Sequence, residues 1–219
     1  MHNVSVSFDI LPTGAPVPVG WKRSSRHLIW DVKMDFTRNS CLVKDGHRTP
    51  DPKKSNCSGV VFIDSLIISL TYAALDYVDV TAADIQNAYL QEPYYEKHYV
   101  ISGKEFGIEH EGKIPLIMCA LYGGKLAGRD FWTHLRTCID FLGFKSCQAD
   151  PFIYMKEATN TGGTGYWEYV LLYVDYCLVV SDHGEKILIE GIGNYFKLKE
   201  KSIGLPDAYL GGKMRQFKL

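Results

Sequence analysis

Thirteen residues, Tyr169 to Ser181, constrain the fold more than any other stretch: Tyr-Val-Leu-Leu-Tyr-Val-Asp-Tyr-Cys-Leu-Val-Val-Ser. Two short apolar runs, residues 169–174 and 177–180, flank a single carboxylate at Asp175. Their length and their β-branched and aromatic content suit two strands of a hairpin, with Asp175 and Tyr176 at the turn. A carboxylate between buried strands is expensive to hold ionised unless something cationic sits against it. A metal ion is one such partner, and a hairpin tip where Asp175 simply meets water is the plainer alternative. A second carboxylate has a similar setting. Residues 78–84 read as a strand whose alternation puts Val78, Val80, Ala82 and Asp84 on one face, so the acid ends an apolar row.

With 219 residues and 46% hydrophobic content, the chain can build a large core in one domain or two lobes. The net charge of −1 excludes a global basic field. Its distribution is uneven: residues 1–54 hold nine Lys/Arg against five Asp/Glu, and the remainder 15 against 20. That asymmetry fits a polyanion clasped near a metal site, and fits a solvated surface nearly as well. The six cysteines include no C-x-x-C pair and sit mostly among apolar residues, as reduced core cysteines of an intracellular protein do. The seven histidines lack H-E-x-x-H or H-x-x-x-H spacing, which argues against zinc. No signal-peptide h-region follows Met1, and the richest apolar window, residues 60–78, is broken by Asp64, Ser65, Ser69, Thr71 and Asp76, against a membrane span.

Residues 1–26 are turn-rich and close on the basic cluster Lys22, Arg23, Arg26. A strand is expected at 27–33, with a partner opening at Leu42-Val43. Asp64 or Ser65 can cap a helix running to about Leu75. A second helix is expected at about 128–142, with Phe131, Leu135, Ile139 and Leu142 on one face and Gly143 as its stop. A short strand at 152–156, a Gly- and Thr-rich loop at 159–165, a helix from Gly184 to about Phe196 and strand pieces near 208–214 complete the pass. A tight hairpin among interleaved helices argues for an α+β fold with a mainly antiparallel sheet rather than a doubly wound one.

Asp84 and Asp175 lie 91 residues apart, each at the edge of an apolar strand. If those strands are neighbours, the carboxylates converge. Mg²⁺ suits one or two carboxylates completed by substrate phosphates, and a pair of ions about 4 Å apart serves phosphoryl and nucleotidyl transfer. The Gly-Gly-Lys at 123–125 fails as a phosphate loop, because Cys119 and Leu126 occupy positions a Walker motif gives to Gly and Ser/Thr.

Four elements then carry a family resemblance. Asp84-Ile-Gln-Asn-Ala-Tyr89 resembles the first catalytic motif of reverse transcriptases, and Tyr173-Val174-Asp175-Tyr176 their Tyr-x-Asp-Asp box. Leu121-Tyr122-Gly123-Gly124-Lys125 with Trp132 resembles the Leu-Tyr-Gly-Leu-Lys…Trp segment of the copia (pseudoviral) retrotransposons, and Tyr209-Leu210-Gly211-Gly212 their Phe-Leu-Gly element. In family order, the elements span about residues 27–214. The resemblance implies reverse transcriptase fingers at 27–77 and a palm at 78–214, with fingers elements at 91–127 and a truncated thumb at 215–219.

It further implies that Asp84 and Asp175 bind two Mg²⁺ ions, with Mn²⁺ as a substitute. Tyr89 would lie under the sugar of the incoming deoxynucleotide, and Gly123, Gly124 and Lys125 would shape the nucleotide and template pocket. Tyr209, Leu210, Gly211 and Gly212 would support the primer end. The implied partners are an RNA or DNA template–primer, deoxynucleoside triphosphates and the remainder of a retrotransposon polyprotein, in the cytoplasm or nucleus and away from membranes. Packing alone is a competing role for Tyr89 and Trp132.

Three departures set this chain apart from the family pattern. Tyr176 replaces the second aspartate of the box, and a neutral phenol is a poor Mg²⁺ ligand. Asn39, Ser40 and Cys41 stand where a basic-Ala-Arg triplet holds the triphosphate, leaving Lys33 and Arg38 nearby as partial substitutes. Each lost phosphate contact costs on the order of 1.5–3 kcal/mol. The expectation is an impaired polymerase, set against a non-catalytic nucleic-acid-binding scaffold or relic built on the same palm.

Overall fold

The computed structural model describes residues 7–32, 36–48, 59–160, 162–209 and 212–215. Its contacts divide it into two units, Met1–Cys57 with Tyr89–Phe131, and Ser58–Ala88 with Trp132–Leu219. The chain therefore enters the first unit, leaves it, returns and leaves again.

It opens in the first unit with β1 (Phe8–Ile10) and β2 (Lys22–Arg23), followed by the ribbon of β3 (Arg26–Val32) and β4 (Arg38–Lys44). These seven-residue strands pair in register from Arg26–Lys44 to Val32–Arg38; the first matches the strand expected from 27, while Leu42-Val43, expected to open the partner, lies near its end. In the second unit come α1 (Ile63–Leu75) and β5 (Val80–Asp84). The observed cap, Phe62, lies two residues before Asp64 and three before Ser65, the caps expected from sequence. Phe62 holds the capping position without a side-chain cap, and its N–H donates to Asp150 Oδ2 at 2.9 Å. A carboxylate distant in sequence has taken the capping role, so the local Asp64-Ser65 signal is not used. The helix packs Leu66 and Ala73 into a core with Ala82, Ile153, Leu171, Leu178, Val180 and Tyr209.

Back in the first unit, β6 (His98–Tyr99) and β7 (Pro115–Ile117) complete a sheet ordered β1-β7-β6-β2, around a core of Phe8, Val100, Phe106, Ile117 and Leu121. The helix α2 (Ala127–Phe141) begins in the first unit and ends in the second. Leu135 and Ile139 are fully buried and Gly143 stops the helix at φ +87°, the left-handed conformation a glycine tolerates. Then follow β8 (Lys145–Ser146), β9 (Ile153–Thr159), β10 (Gly165–Tyr173) and β11 (Tyr176–Val180). With β5 they form a sheet ordered β5-β11-β10-β9-β8, antiparallel at every pairing. The mixed architecture with an antiparallel sheet agrees with the sequence reading.

Beyond β11 the regular helix expected at 184–196 is not formed. Gly184–Lys186 is α-helical, Ile187–Gly191 is a π turn and Ile192–Asn194 is 3₁₀. Glycines at 191 and 193 weaken the ladder, and a Cβ at Gly191 would press on Leu142 at 2.9 Å. The ribbon β12 (Ala208–Tyr209) and β13 (Gly212–Lys213) ends the described chain. Among the described residues no helix is long and apolar enough to cross a membrane, and the cysteines, Cys41, Cys119, Cys138, Cys147 and Cys177, carry free thiols.

Candidate active site

The hairpin of β10 and β11 places Asp175. Tyr173 pairs with Tyr176, so the two turn residues are Val174 and Asp175, one position earlier than the sequence suggests. Val174 adopts φ +55°, as a two-residue hairpin demands at its first central position. Nothing in a valine signals this. A β-branched residue at positive φ is strained, and the paired strands must hold it there.

On the other side of β11, β5 runs antiparallel with Asp84 directly opposite Tyr176. The Ile85 N–H donates to the Asp175 carbonyl at 2.8 Å, which joins the end of β5 to the turn. The two acids therefore share one end of the sheet. Asp175 senses this: burial pushes its carboxyl above the usual carboxylate range, the negative charge of Asp84 pushes it further, and Lys199 pulls it back.

The far edge of β5 is covered by residues 197–204. Gly204 exchanges backbone hydrogen bonds with Ala82, Lys199 N–H donates to the Asp84 carbonyl at 2.8 Å, and Ser202 Oγ accepts from Asp84 N–H at 2.8 Å. The backbone of Lys199 is thus fixed beside Asp84. Its ammonium lies 2.7 Å from Asp84 Oδ1. That oxygen is buried, and the ammonium sits directly against it. A carboxylate in this setting calls for a cation, and the Lys199 ammonium is one such partner of Asp84. No periodicity or motif joins residue 199 to residue 84, so only the fold could show it.

Hard oxygen donors on two carboxylates suit Mg²⁺ or Mn²⁺, which take few protein ligands and fill the rest with water and phosphate. Among the described residues no third acid, histidine or cysteine joins them to form a larger ligand cluster.

Tyr176 itself is half-buried and packs against the core. Its ring lies 5.3 Å from that of Tyr209, which also meets Tyr173 at 6.3 Å. Burial, then the charges of Asp84 and Asp207, raise the Tyr176 phenol, so it stays neutral. Tyr209 is only 5% exposed, and among the described residues its hydroxyl has no hydrogen-bond partner. Of the other expected primer-end residues, Gly212 begins β13, while Leu210 and Gly211 lie outside the described residues.

The remaining candidates belong to the first unit. The Tyr89 ring packs against Tyr122 at 4.9 Å and Phe131 at 5.8 Å. Gly123 has φ +81°, and a Cβ there would overlap the Lys44 carbonyl, while one at Gly46 would overlap the Gly123 carbonyl. The missing side chains thus let the 122–124 turn and the end of β4 interlock, with Lys44 N–H donating to the Tyr122 carbonyl at 2.8 Å. Gly124 and Lys125 follow in that turn, both half-buried. On the β3–β4 ribbon, Arg38 and Asn39 are exposed and Cys41 is half-buried, its thiol raised by burial. Lys33 lies outside the described residues.

One cluster in this unit was not legible in the sequence. Lys44, 1% exposed, donates to the Tyr94 hydroxyl and to His98 Nδ1 at 3.1 Å, with Glu96 Oε2 at 3.5 Å. Tyr94 in turn donates to Glu96. Burial lowers Lys44 and His98, and the Lys44 charge lowers His98 further.

Comparison with curated proteins returns no match. A family profile described as "Reverse transcriptase (RNA-dependent DNA polymerase)" matches residues 16–218.

Proposed function

The chain belongs to the copia-type reverse transcriptase family of retrotransposons, and from that premise we propose that it is an RNA-directed DNA polymerase domain working through Asp84 and Asp175, weakened in this copy. One observation carries the reading: two acids far apart in sequence meet at one end of the central sheet, close enough for the charge of one to raise the carboxyl of the other. Acids brought together against their mutual repulsion are a common mark of a functional site.

In this reading the second unit is the palm and the first the fingers, which moves residues 58–77 from the expected fingers to the palm. Asp84 and Asp175 hold two divalent ions, Mg²⁺ with Mn²⁺ as substitute. Bound there, the ions would lower the pKa of the attacking primer hydroxyl and stabilise the leaving pyrophosphate. The protein's own part is positional: the Ile85–Asp175 hydrogen bond and the Ser202 hydroxyl fix the backbone of both acids. Tyr89 selects against a ribose hydroxyl, Lys33 and Arg38 meet the triphosphate, and the turn at Gly123, Gly124 and Lys125 borders the nucleotide and template. The strands carrying Tyr209 and Gly212 support the primer end. The substrates are an RNA or DNA template–primer and deoxynucleoside triphosphates, with the other parts of a retrotransposon polyprotein as neighbours.

The weakening is traced to Tyr176, which supplies no ligand, and to Asn39 and Cys41, which supply no cation. Primer extension on an RNA template tests the whole reading. Asp84→Asn should abolish extension, and equal product from that variant overturns the polymerase assignment. Combining Tyr176→Asp, Asn39→Lys and Cys41→Arg should raise extension at least tenfold; no gain removes these three positions as the cause of weakness.

A further inference from the structure

We infer that Lys199 is a built-in competitor of the divalent cation, occupying with its ammonium the face of Asp84 that a metal ion must take. The inference rests on the proposed metal role of Asp84 and adds to it a residue that no motif assigned.

Three observations carry it. First, the ammonium is placed by the backbone. Lys199 N–H is bonded to the Asp84 carbonyl, Leu198 bridges to Ile85, Gln86 N–H bonds to the Lys197 carbonyl, and Ser202 Oγ donates to the Lys199 carbonyl at 2.7 Å while accepting from Asp84 N–H. Second, the ammonium touches a buried oxygen of the Asp84 carboxylate at 2.7 Å, a separation at which no cation fits between them. Third, the local charge makes the competition matter. Two carboxylates face one ammonium, and where a third acid would tip the balance, position 176 carries a neutral phenol opposite Asp84. An arriving dication must displace the ammonium or share the carboxylate with it, and either costs affinity. The Lys199 side chain, 48% exposed, has a path outward, so displacement requires no unfolding of the segment.

The test is direct binding of Mn²⁺ to the full 219-residue chain, read from the electron paramagnetic resonance signal of free Mn²⁺, without nucleotide or primer. Wild type, Asp84→Asn, Lys199→Met, Lys199→Gln, Lys199→Arg and the double variant Asp84→Asn/Lys199→Met are compared, with thermal melts in chelator to verify folding. Lys199→Met and Lys199→Gln should bind roughly three- to tenfold tighter, the range expected for removing one partly screened charge. Lys199→Arg should bind no tighter than wild type, because the positive charge remains. The double variant should bind as poorly as Asp84→Asn, showing that the gain passes through Asp84. If wild type and Asp84→Asn bind alike, the metal reading of Asp84 fails, and this inference with it. If binding depends on Asp84 but both neutral variants match wild type or bind more weakly, the metal reading stands and the competitor role is overturned.

Discussion

At position 176 a half-buried phenol stands across the sheet from Asp84 and packs against Tyr209. The ring stacks with Tyr209, which in turn contacts Tyr173, so the side chain now contributes packing where the family pattern has a ligand. Tyr176→Asp removes that stacking and puts a like charge directly opposite Asp84, an unfavourable cross-strand pair. The expected loss is about 1–3 kcal/mol in urea denaturation with chelator present. Divalent cation should restore part of it, because only the folded state offers the site. At this scale, the sequence revealed the acids, since each interrupts an apolar run. It did not reveal Lys199 or Asp150, whose partners are chosen by the fold and leave no trace in local pattern.

The elements repeat this lesson with turns and helix ends. The hairpin was legible from its apolar runs at 169–174 and 177–180, but its first strand reaches back to Gly165 and its turn slipped by one position because Val174 carries none of the usual positive-φ signals. The segment after β11 is irregular where two glycines fall, and the approach of Gly191 to Leu142 leaves no trace in the local pattern. The turn at Gly123 gives a sharper test. Its positive φ and the overlap of any Cβ with the Lys44 carbonyl predict that Gly123→Ala costs about 2–4 kcal/mol, checked by chemical denaturation. The same junction contains the Lys44–Tyr94–Glu96–His98 cluster. Because His98 is depressed, by burial and then by Lys44, the folded state resists its protonation. Its contribution is present above the unfolded value near 6.5 and is lost as pH falls below it. Glu96 is also depressed. Burial alone would raise it, but the Tyr94 hydrogen bond and the Lys44 charge win, so it adds a further loss at lower pH, below about 4.5. Thermal melts from about pH 7.5 to 5.5 should therefore show a falling midpoint, and His98→Asn should flatten that fall.

For the whole molecule, the decisive fact is that each unit is assembled from two separated pieces of chain. Residues 132–219 by themselves lack α1 and β5, and so lack both the helix covering the core and one strand of the sheet. That fragment should show no cooperative thermal transition by circular dichroism, and adding a peptide of residues 58–88 should restore one. Composition and alternation were enough to reveal an antiparallel sheet with helices. The charge change near residue 54 falls beside the first crossover, but neither composition nor alternation marks the later ones at 88–89 and 131–132, where only the family resemblance, with its fingers elements at 91–127, pointed to interleaving.

This arrangement has a consequence for synthesis on the ribosome. Among the described residues β5 pairs with β11 on one edge and bridges to Leu198 and Gly204 on the other. Both partners are made on the order of a hundred residues later, which at about 5–20 residues per second leaves the strand waiting for several seconds. Throughout that interval Val80-Thr81-Ala82-Ala83 is a bare apolar edge, and any nascent chain nearby is a rival partner for it.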